Sequence, residues 1–90
     1  MIVLRTARYR SSLDAIEAYI AQDNPLAATE VWLLIDEQVQ SLADPNFPRR
    51  LGRVVGTLEL VAHENYVVIL QQLGDTVTAL DVLHVARQYP

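Results

Sequence analysis

The side chains best suited to chemistry gather at the end of this chain, in Leu83-His84-Val85-Ala86-Arg87-Gln88-Tyr89-Pro90, after a strand-like run from Thr76 to Leu83. Histidine moves protons near neutral pH, arginine grips phosphate through a planar fork, and tyrosine stacks on bases. Upstream, Arg53, Glu59 and His63 add a cation, a carboxylate and a second imidazole. Two histidines without cysteine or suitably spaced acids make a weak metal site, so no metal and no cofactor are expected. The absence of cysteine also removes disulfides and thiolate nucleophiles.

Ninety residues, half of them hydrophobic, suit a single domain spanning 1–90 with one modest core. The apolar run at Met1-Ile2-Val3-Leu4 is too short for a signal peptide, and no stretch is long enough for a membrane helix. A cytoplasmic location is expected. Charge is segregated within a net −4. Residues 11–46 hold seven acids and no base, the remainder holds seven arginines against four acids, and lysine is absent. Non-specific nucleic-acid binding needs several cations to displace counterions. The balance argues against a general nucleic-acid binder and leaves room for one local basic patch, Arg49-Arg50-Leu51-Gly52-Arg53.

The elements that must position these groups follow from periodicity. Ile2 to Tyr9 reads as a first strand. Ser11-Ser12-Leu13-Asp14 looks like a helix start, and Leu13, Ile16 and Ile20 recur at helical spacing, which predicts a helix over Ser12–Gln22. Asp23-Asn24-Pro25 ends it and starts another, with Asn24 as cap and Pro25 at the first helical position. Ala28, Val31, Ile35, Val39 and Leu42 then form one apolar stripe. The segment 49–53 reads as an exposed connection and Thr57–Ala62 as a strand. His63-Glu64-Asn65 reads as a turn, and Tyr66–Leu70 as a central strand buried on both faces. Gly74-Asp75 supplies a hairpin turn into a last strand, Thr76–Leu83. The expectation is an α+β fold, β-α-α-β-β-β, with a helical hairpin packed on one face of a small, mostly antiparallel sheet.

This order resembles the RelE/ParE superfamily of bacterial toxin–antitoxin toxins. Tyr19-Ile20-Ala21-Gln22-Asp23-Asn24-Pro25 is similar to the family's helix–turn–helix junction. Gly56-Thr57-Leu58-Glu59-Leu60 and Tyr66-Val67-Val68-Ile69 are similar to its middle strands, and Val82–Pro90 to its hydrophobic–Leu–His–x–x–Arg ending. The resemblance implies a toxin held inactive by a cognate antitoxin. RelE-like members cleave messenger RNA in the ribosomal A site, whereas ParE-like members do no known chemistry and poison DNA gyrase. RelE-like enzymes are usually basic and lysine-rich, so the acidic, lysine-free composition favours the ParE-like branch. A relic that keeps the fold and antitoxin binding but harms nothing is a third reading.

Each candidate residue has a functional and a plain structural reading. Metal-free RNA cleavage would need a base, a cation and an acid. Glu59 or His84 could be the base, Arg53 and Arg87 the cations, and Tyr89 or His63 the acid or a stacking platform. Equally, His84 closes the last strand by bonding to backbone, Glu59 pairs across strands with Arg53 or Arg87, and His63 is solvated. Arg49, Arg50 and Arg53 form either a solvated loop or a contact for phosphate or an acidic partner. Trp32 fills the space between helices and sheet, or joins Leu33 and Leu26 in a patch for an antitoxin helix or a second copy of the toxin. Arg5, Arg8 and Arg10 are expected to offset the acidic helices.

Overall fold

A computed structural model describes residues 1–86. Its elements are β1 (Ile2–Arg5), α1 (Ala7–Ala21), α2 (Pro25–Ser41), β2 (Arg50–Leu51), β3 (Leu58–His63), β4 (Tyr66–Leu73) and β5 (Thr76–His84). The sheet runs β1-β5-β4-β3-β2, with β1 parallel to β5 and every other pair antiparallel. This is the expected α+β order with one addition. Arg50 and Leu51, read as an exposed connection, are exposed but also pair with Glu59 and Leu58 as a two-residue edge strand.

The first helix begins earlier than its sequence suggested. The N-cap is Thr6, whose hydroxyl accepts a hydrogen bond from the Tyr9 amide at 3.0 Å and donates to the Leu80 carbonyl at 2.7 Å. Ser12 therefore lies inside the helix. The early start brings Tyr9 onto the same face as Leu13, and both are fully buried, with Ile16 and Ile20 packed against the core. The second helix starts as expected: Asn24 Oδ1 accepts from the Ala27 amide at 3.1 Å and Pro25 opens the first turn. Its stripe is core, with Ala28, Ile35, Val39 and Leu42 buried.

Both helices pack on one side of the sheet. Leu60, Ala62, Tyr66, Val68, Leu70, Val77, Ala79 and Val82 meet Tyr9, Leu13, Ile35, Val39 and Leu42 there. Val67, Ile69 and Leu83 form a smaller cluster on the opposite side, which makes Tyr66–Leu70 buried on both faces. Gly74 has φ +60° and Asp75 does not share a positive φ, so Gly74-Asp75 forms a two-residue type II′ hairpin turn between Leu73 and its partner Thr76. Leu80 is an extra residue in β5, between partners Ile69↔Asp81 and Leu70↔Ala79. The resulting bulge turns Asp81 toward α1, where Ser12 donates to it at 2.6 Å.

Candidate functional site

Glu59 is 2% exposed and fully committed. Its Oε1 accepts from Arg50 Nε at 3.2 Å and Nη2 at 3.1 Å, and its Oε2 accepts from the Arg53 backbone amide at 3.1 Å. Arg50, which stands opposite Glu59 in the β2–β3 register, thus supplies a cross-strand cation that the sequence reading had not named. The carboxylate ties the segment after β2 to the sheet. A cavity of about 270 Å³ opens beside it, lined by Phe47, Pro48, Arg49, Arg50, Glu59 and Val61. Arg49 is folded back on its own loop, donating to the carbonyls of Phe47 (3.0 Å) and Asp44 (2.9 Å) and to Gln72 (3.0 Å). Of the three basic residues in this segment, Arg49 is half buried, and Arg50 and Arg53 are exposed.

The two histidines flank Tyr66. His63 and His84 are both register partners of Tyr66, from β3 and β5, with ring centroids 5.6 and 5.3 Å from the tyrosine ring. His63 Nδ1 accepts from the Asn65 amide at 3.0 Å, and His84 Nδ1 accepts from the Ala86 amide at 3.0 Å. These bonds assign the neutral tautomer: the proton sits on Nε2, so the outward nitrogen is a donor. A general base needs the opposite arrangement. His84 also lines a groove of about 450 Å³ with Ser12, Ile16, Tyr19, Tyr66 and Val82.

Glu59 and His84 do not share a face. Glu59 stands opposite Ile69, which belongs to the cluster away from the helices, while His84 stands opposite Tyr66, which belongs to the helix-side core. With β4 between them and three positions of offset along it, they are about 10 Å apart along the strands and about 10 Å across them. The structure does not bring these two together. Arg87 and Tyr89 lie outside the described residues. Among the described residues no three His, Cys, Asp or Glu side chains gather as a metal site would require.

On the helical hairpin, Trp32 Nε1 donates to Asp14 Oδ1 at 3.1 Å, linking α2 to α1, and the indole packs against the core. Leu33 projects outward, 47% exposed, with Leu26 at 69% and Tyr19 at 72%. Tyr19, exposed on α1, instead lines the groove beside His84; its spacing of three from Ile16 sets it on that side of the helix. A half-buried polar cluster also escaped the sequence. Asp36 accepts from Arg5 Nε at 2.9 Å and from the Tyr9 hydroxyl at 3.0 Å, joining β1, α1 and α2. Burial foremost, and then the Asp36 charge, push the Tyr9 phenol well above its ordinary range. Arg5 thus offsets the acidic helices as expected, and Arg8 approaches Asp81 at 3.8 Å.

The family model for the ParE toxin of the type II toxin–antitoxin system, parDE, matches residues 3–89. The chain belongs to the ParE toxin family. A relative from Sinorhizobium fredii (strain NBRC 101917 / NGR234), named "Putative toxin Y4kP", is 36% identical over 85 residues, covering 94% of this chain and 88% of the relative. A chain of the chromosomal ParDE TA system from P. aeruginosa superposes with a TM-score of 0.85 at 22% identity, covering 94% of this chain and 96% of that one. This last likeness establishes the fold. Family membership places the chain among the toxins of type II toxin–antitoxin systems and implies a cognate antitoxin as partner. No helix among the described residues is long and apolar enough to cross a membrane.

Proposed function

We propose that this ParE-family toxin inhibits DNA gyrase by binding it, without chemistry of its own, in the cytoplasm, and that a cognate antitoxin neutralises it by folding onto the toxin surface. The observation that carries the choice of binding over catalysis is the placement of Glu59 and His84 on opposite faces of the sheet. A ribonuclease would need its base, acid and cations converging on one phosphate. Here Glu59 is consumed by Arg50 and the Arg53 amide, and the outward nitrogen of His84 carries a proton. The acidic, lysine-free composition supports the same reading, since docking on ribosomal RNA draws on an excess of cations.

The exposed Leu26 and Leu33 on the second helix supply an apolar surface for the antitoxin or for a second copy of the toxin. Arg53 and Arg50 supply the basic edge for an acidic partner surface. The test is induction without antitoxin in living cells. The binding reading expects DNA-damage signalling and filamentation with transcripts intact, and restored growth when the antitoxin is co-expressed. Transcripts cut at A-site codons would replace it with the ribonuclease reading, and unchanged growth would replace it with a non-toxic relic.

A further inference from the structure

We infer that His63 and His84 form a proton-sensitive latch that fixes the path of the chain as it leaves β5. Three hydrogen bonds run in one string across the end of the sheet. His63 Nδ1 accepts from the Asn65 amide at 3.0 Å, the Asn65 carbonyl accepts from the Val85 amide at 2.8 Å, and the Ala86 amide donates to His84 Nδ1 at 3.0 Å. The string joins the β3–β4 turn to the first residues after β5. Its ends are imidazole nitrogens on either side of the buried Tyr66 ring.

An imidazole accepts at Nδ1 only while neutral. Protonation turns that nitrogen into a donor facing another donor, so each bond is lost and replaced by repulsion. Histidine is the side chain whose ordinary titration falls in the mildly acidic to neutral range. Among the described residues no carboxylate pairs with either ring. Tyr66 stands between the two rings, and α1 contributes the neutral phenol of Tyr19 across the groove. Glu64 adjoins His63 in the turn, and Asp81, further up β5, is engaged by Ser12, the Val82 amide and Arg8. Among the described residues neither imidazole makes an ion pair. Two new positive charges would also stand about 10 Å apart, on strands flanking one central strand. The neutral imidazoles therefore fix the Asn65 and Ala86 amides on either side of the backbone bond from Val85 to Asn65, and protonation releases those two amides while that backbone bond remains.

The test is amide-resolved NMR on the full chain between about pH 8 and pH 5. The latch predicts that the Ala86 and Asn65 amides shift in step with the ring protons of His84 and His63 respectively. It also predicts that Ala86 loses exchange protection, beyond the intrinsic pH effect, on the order of tenfold, the scale of one lost hydrogen bond. In His84→Asn the side-chain oxygen can accept from the amide two residues on, as in an Asx turn, and cannot be protonated. That variant should abolish the titration at Ala86 while leaving Asn65 to follow His63. An Ala86 amide that keeps its shift and protection while His84 titrates would overturn the proposal, as would a titration of Ala86 that survives in His84→Asn.

Discussion

Glu59 and His84 project from opposite faces of one sheet: Glu59 beside Ile69, away from the helices, and His84 beside Tyr66, on the helix side. The relation follows from register alone, because antiparallel partners share a face and successive residues alternate. If His84 is no general base, His84→Ala should inhibit growth with wild-type potency when expressed without antitoxin. Loss of a true general base would lower potency by about 10²- to 10⁴-fold. Dose–response growth curves, normalised to the amount of folded protein, distinguish the two.

Arg50 and Glu59 should prove energetically coupled. Arg50 is half exposed, which weakens its contribution, but its loss strands a buried carboxylate. Arg50→Ala is expected to cost about 1 kcal/mol, and much less when Glu59 is already Gln. Urea denaturation of the two single variants and the double variant measures the coupling. Additive losses would mean that the bridge contributes nothing.

The cap at Thr6 gives a sharper stability test. Thr6→Ala removes both the bond from the Tyr9 amide and the bond to the Leu80 carbonyl, and should cost about 1–2 kcal/mol. Were the helix to begin at Ser12, Thr6→Ala would be nearly neutral. Thermal unfolding followed by circular dichroism decides between the two.

Alkaline pH should unfold the protein through its tyrosines. Burial is the main force raising the phenols of Tyr9 and Tyr66 above their ordinary value of 10.0, aided by Asp36 and Tyr19 respectively. The folded chain therefore keeps protons that the unfolded chain gives up. The stability they contribute is intact below about pH 10 and falls as the pH climbs above it, by at most about 1.4 kcal/mol per unit for each group. Tyr9→Phe should remove more of this slope than Tyr66→Phe. Equal slopes in wild type and Tyr9→Phe would refute the assignment.

Leu33→Asp changes an exposed position on α2 and should leave the melting temperature nearly unchanged. If the hairpin patch receives the antitoxin, affinity should fall by roughly tenfold or more. Titration calorimetry with the purified antitoxin reads this directly. Undiminished affinity would move the interface elsewhere.

Much of the fold was legible in the residues. The stripe from Ala28 to Leu42 has one period over the whole of α2, and Asn24-Pro25 announces its start with a specific cap. Tyr66–Leu70, a continuous β-prone apolar run, read as a strand buried on both faces, and Gly74-Asp75 read as a turn. Thr6 was hidden because Val3-Leu4 continues naturally into an alternating strand, and only packing shows that Tyr9 belongs to a helical face. The two-residue strand at Arg50 carries no periodicity at all. The site was less legible for a related reason. Which arginine meets Glu59, and which face His84 takes, depend on register across three strands, and no local pattern encodes a register. Leu80 adds a residue to β5, so even counting along the strand would have mispaired it.

The most direct measurement of the central claim is gyrase supercoiling in the presence of the purified toxin, run beside cleavage of messenger RNA on programmed ribosomes. The account predicts that gyrase is inhibited, that antitoxin reverses the inhibition, and that the messenger stays intact. Unimpaired supercoiling at saturating toxin, with cuts at the ribosomal A site, would contradict it.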